Sequence, residues 1–224
     1  VEGSNPLLSY SDTARWEEAI EALDLLVVID PAFTETARKA DWVLPTPVGY
    51  EKWEIAMFPK RYPEIDVQLR PPVLPARGEA LPEPEIYARL LEAAGCVLPL
   101  PPELEAAATS GGAEDIASFM AKAMEHVGAA VAKGLDPETQ VQYWLYRGPG
   151  RSLPAPSLVG IWALCQANAS DRREGVLRTL GEPWQEKTAP EIGEELFRRI
   201  LAHPEGVEIA RLNPEEDLAS HVAW

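Results

Sequence analysis

Two groups of residues near the front of the chain have the types and spacing to hold a nucleotide: the turn Gly3-Ser4-Asn5-Pro6 and the carboxylate Asp30. A turn that leaves a parallel strand and opens a helix gathers unpaired backbone N–H groups at the positive end of the helix dipole, which suits a phosphate or pyrophosphate. In such a turn Gly3 lets the backbone approach a ligand closely, the Ser4 hydroxyl and Asn5 amide can bond phosphate or sugar oxygens, and Pro6 fixes the bend. Alone, these four residues are equally a plain strand-to-helix turn. Asp30 shifts the balance. It ends an apolar strand some twenty-odd residues after the turn, where a dinucleotide fold places its acceptor for ribose hydroxyls. The same carboxylate can take the N–H pair of a guanine edge, or cap the helix that follows. Thr34, Glu35 and Thr36 begin the next helical turn and face the same edge, either lining a ligand or capping. The glycines do not complete a G-x-G-x-x-G fingerprint, which disfavours a simple NAD site.

The sequence shows a binding site and no catalyst. His126, His203 and His221 read as ordinary packed or surface histidines, no serine sits in a nucleophile elbow, and no carboxylate pair has a distinctive spacing. Cys96 and Cys165 have no C-x-x-C or Cys/His companions, so neither a zinc site nor a disulfide framework is expected. Glu51, Lys52, Trp53 and Glu54 read as a solvated loop with a docking tryptophan and are assigned no chemistry.

The elements that must position the turn and Asp30 follow from hydrophobic period. Trp16, Ile20 and Leu23 keep helical spacing against Glu17, Glu18 and Glu21, with Ser11 or Asp12 as N-cap. Leu25 to Asp30 is the uninterrupted apolar run of a central parallel strand covered on both faces. A short helix around Thr34 to Lys39 and a strand Trp42-Val43-Leu44-Pro45 follow, and this alternation argues for an α/β fold with right-handed crossovers. Tyr50 to Arg77 reads as an ordered excursion with a strand near Val67 to Leu69, and Pro84 to Ala94 as a helix stopped by Gly95. Helical patterns at 113–133, 137–147 and 156–169 make the next half a large helical insertion or extension. A helix through Ile192, Leu196 and Ile200 then leads to a strand at Val207 to Ala210 that is expected to rejoin the sheet. The resulting division is an α/β part over 1–96, a helical insertion over 97–190, and a returning helix and strand over 191–224. Val1-Glu2 reads as the tail of a strand, and both ends as boundaries cut from a longer polypeptide.

Composition narrows the class. The 224 residues are 46% hydrophobic and 25% charged, which suits a globular chain with a sizeable core. A formal charge of −16 argues against a nucleic-acid partner, and the longest apolar runs fall far short of the roughly 20 residues of a membrane span. A cytoplasmic, reducing setting is expected from the cysteine usage.

The quoted segments also carry a resemblance. Gly3-Ser4-Asn5-Pro6-Leu7-Leu8-Ser9, Leu23 to Asp30, Thr34-Glu35-Thr36-Ala37, Ala40-Asp41-Trp42-Val43-Leu44-Pro45 and Arg70-Pro71-Pro72-Val73-Leu74-Pro75 resemble, in order and spacing, the third domain of molybdopterin oxidoreductases of the dimethyl sulfoxide reductase and formate dehydrogenase superfamily. The likeness is dense to about residue 95 and then thins, reappearing from Glu195-Leu196-Phe197 to Gly206-Val207. It implies a Rossmann-like three-layer parallel sheet that holds one of two molybdopterin guanine dinucleotides carrying molybdenum or tungsten. It implies contacts from Gly3, Ser4, Asn5 and Pro6 to pyrophosphate and ribose, from Asp30 to guanosine, and from Thr34, Glu35 and Thr36 nearby. It further implies a parent two-electron oxidoreductase whose iron–sulfur cluster, metal ligand and remaining domains lie outside this chain, with an electron-transfer subunit as a possible partner. The fragment alone is then expected to be inactive. A cofactor-free structural homologue, such as the large iron–sulfur subunit of respiratory NADH dehydrogenase, is the alternative implied by the same fold.

Overall fold

A computed structural model describes residues 1–56, 63–108 and 113–211. The chain divides into two compact units, Val1–Lys52 with Pro72–Leu90, and Trp53–Pro71 with Leu91–Trp224.

In the first unit, α1 (Pro6–Ser9) and α2 (Thr13–Glu21) precede strands β1 (Val27–Asp30) and β2 (Trp42–Pro45), and the first turns of α3 (Glu83–Ala93) complete it. β1 and β2 pair in parallel, Val27 opposite Trp42 and Asp30 opposite Pro45. On the other side of β1, Glu2 bridges Ile29 in parallel, through Ile29 N–H to Val1 C=O at 2.9 Å and Gly3 N–H to Ile29 C=O at 3.0 Å. β1 therefore lies between two parallel neighbours. Successive strand residues point to opposite faces, and both Val28 and Ile29 are buried, so both faces of β1 are covered there. Leu7, Ile20, Leu26, Val28 and Ala37 form the core cluster, with Ala40 and Val43 against it.

Asp12 caps α2 as expected, accepting from Arg15 N–H at 3.3 Å from a left-handed backbone at φ 64°. The apolar stripe of α2 is narrower than its spacing predicts: Ile20 is buried, while Leu23 is exposed and Trp16 instead stacks on Tyr10 at 5.4 Å. The helix expected over Thr34 to Lys39 is a turn closed by a single 3-10 turn, Ala37–Lys39. Side chains take the N–H groups of this segment, Asn5 that of Thr36 and Thr34 that of Ala37, in place of carbonyls four residues back.

The second unit has an antiparallel sheet and six helices among its described residues. β3 (Glu54–Ala56) pairs with β4 (Glu64–Arg70), whose other edge takes β5 (Val207–Arg211) across an irregularity at Ile65/Asp66. The returning strand thus joins β4 in antiparallel order and does not pair with β1 or β2. Helices α4 (Pro102–Ala108), α5 (Ala113–Val131), α6 (Pro137–Arg147), α7 (Val159–Asp171), α8 (Arg173–Leu180) and α9 (Ala189–Ala202) make up the rest. Phe119, Trp144, Leu158, Ile192, Leu196 and Ile200 are fully buried among them. The buried Gln140 amide is satisfied by Leu98, accepting its N–H at 2.7 Å and donating to its C=O at 3.0 Å. The Thr188/Glu191 capping box opens α9. No helix among the described residues is long and apolar enough to cross a membrane.

Candidate functional site

The parallel pairing decides where the predicted residues meet. Residues 1–3 and β2 both run parallel to β1, so the chain leaves all three at one edge: through Gly3–Pro6, through Asp30, and through Thr46 directly after Pro45. This is the carboxyl edge at which open α/β sheets bind their ligands.

Gly3 adopts φ +52°, a left-handed backbone that side chains resist, and nothing lies within 4 Å of where a Cβ would stand. The glycine is required by the turn, and the space beside it is open. Asp30 is 8% exposed and accepts the Ala32 N–H on Oδ1 at 2.8 Å, an Asx turn that fixes the carboxylate at the strand end. Thr34 is half-buried and its hydroxyl accepts from Ala37 N–H at 3.2 Å, so it caps the 3-10 turn.

Asn5 behaves differently from the sequence expectation. It occupies the N-cap position of α1, yet its side chain makes no cap. Its Oδ1 accepts from the Thr36 hydroxyl at 2.7 Å and the Thr36 N–H at 3.2 Å, and its Nδ2 donates to Glu35 Oε2 at 2.6 Å. The fully buried Thr36 hydroxyl in turn accepts the Leu7 N–H at 3.4 Å, taking over the capping duty. The Asn5 carboxamide thus joins two turns. Asn5 also holds the exposed Glu35 carboxyl below the usual carboxylate range, helped by its own backbone N–H and by Arg38.

Thr46 was not singled out by sequence. It is 4% exposed, and its hydroxyl lies near Glu83 without a well-formed hydrogen bond. Its position one residue past a strand end is the signal that could have marked it. The neighbouring charges are structural: Lys52 pairs with Glu83, and the Glu51 carboxylate accepts from Val48 N–H at 3.3 Å while facing Arg77 at 3.7 Å. Burial pushes the Glu83 carboxyl up, but Lys52 and the Glu83 backbone N–H outweigh it and hold the group low. Among the described residues no cluster of three or more His, Cys, Asp or Glu could hold a metal ion.

Residues 1–93 match the sequence model of a family described as molybdopterin oxidoreductase. Among individual relatives, the F420-dependent formate dehydrogenase subunit alpha of Methanocaldococcus jannaschii is 38% identical over 96 residues, covering 42% of this chain and 14% of that protein. Trimethylamine-N-oxide reductase of Haemophilus influenzae is 32% identical over 93 residues, 42% of this chain and 11% of its own length. The dimethyl sulfoxide/trimethylamine N-oxide reductase of Rhodobacter capsulatus is 31% identical over 93 residues, with the same coverages of 42% and 11%. The likeness supports the molybdopterin oxidoreductase superfamily for the amino-terminal part of the chain, and it covers only 11% to 14% of the relatives' lengths.

Proposed function

We propose that the first unit forms one guanosine-holding wall of a molybdopterin guanine dinucleotide site in a molybdenum or tungsten oxidoreductase. The observation that carries this reading is the meeting of the left-handed Gly3 turn and the fixed Asp30 carboxylate at one edge of a parallel sheet, inside the stretch that matches the family. The residues fit the group. Open space beside Gly3 admits a pyrophosphate against the backbone, and the Ser4 hydroxyl and the Pro6-started helical turn stand beside it. Asp30 spends one oxygen on its own turn and has the second for the N–H pair of guanine or for ribose. Thr34, Glu35 and Thr36 flank it, and the buried Thr46 hydroxyl offers a further polar partner past β2.

When bound, the metal of this cofactor supplies two-electron chemistry on a small substrate. The chain's own residues bind and orient the nucleotide end. In this reading the sheet belongs to a Rossmann-like three-layer α/β domain, and the metal ligand and iron–sulfur cluster lie in other domains of the same polypeptide. An electron-transfer subunit completes the pathway, and the 224 residues alone are inactive.

The test is a titration of the isotopically labelled chain with GDP and, separately, with NAD. GDP is expected to move the amide signals of Gly3, Ser4, Asn5, Asp30 and Thr34 to Thr36 with weak affinity, since much of the cofactor's enclosure is elsewhere. A tighter response to NAD at these positions overturns the assignment.

A further inference from the structure

We propose that Asn5 is the positioning residue of this site, a two-sided latch that ties the glycine turn to the Thr34–Thr36 turn and presents the Glu35 carboxylate beside it. The inference rests on the nucleotide reading above and deepens it. An Asn at an N-cap ordinarily accepts the N–H two or three residues ahead, but here the cap is made by Thr36 and the Asn5 carboxamide is turned across the site. A carboxamide has an acceptor side and a donor side, and Asn5 uses them on different partners. The acceptor side holds Thr36, which is fully buried, so the latch is anchored in the core of the unit. The donor side holds Glu35, an exposed side chain that would otherwise sample many rotamers. Residues thirty positions apart in sequence, Asn5 and Glu35, are thereby fixed as one surface. Arg38 is the charged neighbour acting on Glu35, and it favours the ionised form that accepts the Asn5 N–H.

The donor and acceptor roles can be exchanged, which gives a decisive test. Asn5→Asp keeps the acceptor for Thr36 but sets a carboxylate against Glu35, while adding Glu35→Gln returns a donor from the opposite side. In the labelled 224-residue chain, Asn5→Asp is expected to raise the Glu35 carboxyl titration measured by carbon NMR. The GDP-induced amide shifts at pH 7 should fall roughly tenfold at a fixed GDP concentration, and recover in part near pH 5 as one of the two carboxyls takes up a proton. The double variant N5D/E35Q is expected to respond to GDP within roughly threefold of the unmodified chain, because it rebuilds a charge-assisted hydrogen bond. An unchanged Glu35 titration in Asn5→Asp overturns the latch, as does a double variant that stays as weak as the single one. Absence of any GDP response in the unmodified chain overturns the nucleotide reading alone, since the Glu35 titration still reports on the latch.

Discussion

Asp30 closes its own turn with one oxygen, the proposed site gives the other to the nucleotide, and a substitution can separate the two. Asp30→Asn keeps the acceptor that closes the turn on Ala32 and removes the charge, whereas Asp30→Ala removes both. Losing a charge-assisted hydrogen bond of about 1.5–3 kcal/mol predicts roughly 10- to 100-fold weaker nucleotide binding in Asp30→Asn, with the fold retained and the turn on Ala32 closed by a weaker, neutral hydrogen bond. Thr46 makes the opposite kind of prediction. A buried hydroxyl without a well-formed partner costs about 1–3 kcal/mol, so Thr46→Val is expected to raise the stability of the ligand-free chain, read from its denaturant midpoint. A hydroxyl that served only the fold would give a loss. Gly3 and Asp30 were legible in sequence because a strand end followed by a glycine turn or a carboxylate is a local pattern. The latch on Asn5 was not, because its partners Glu35 and Thr36 are distant in sequence and the parallel bridge of Glu2 to Ile29 brings the turns together.

At the scale of elements, local chemistry explains most of what could be read. Asp12 and Thr188 open their helices with short-range hydrogen bonds, and Gly95 takes the left-handed φ of +66° that stops α3. The three-residue β3 and the seven-residue α4 were invisible to periodicity because each is barely one or two repeats long. β5 was legible as a strand but not in its partner, since pairing with β4 is decided by distant packing. Gly148 tests the packing of the second unit. A Cβ there would stand 2.9 Å from the buried Phe119 ring and 2.9 Å from the Trp144 carbonyl, neither of which can withdraw easily. Gly148→Ala is therefore expected to destabilise the chain by about 1–3 kcal/mol in denaturant unfolding. The cap of α9 tests electrostatics. Lys187 and the Thr188 N–H and hydroxyl hold the Glu191 carboxyl down to about 2 from an ordinary value of 4.5. A depressed carboxylate stabilises the fold above the ordinary value, and that contribution is lost as pH falls toward 2. Glu191→Gln should flatten the pH dependence of hydrogen exchange in the first turn of α9 over that window.

On the scale of the whole molecule, two compact units with separate sheets share one chain, and the family likeness over residues 1–93 takes in the whole of the first unit together with 53–71 and 91–93 of the second. The second unit departs from a sheet-rejoining tail because β4 offers β5 an open edge, on which the buried Ala210 packs while Glu208 and Arg211 pair beside it. The net charge of −16 makes an acidic surface that disfavours a polyanionic partner. The most direct measurement is the guanine nucleotide released on denaturation from the complete protein carrying this chain, counted per polypeptide and compared with its Asp30→Asn variant. A guanosine-holding wall predicts nucleotide in near-stoichiometric amount that falls sharply in the variant while the fold is retained. Equal guanine content in both proteins, or none in either, contradicts it.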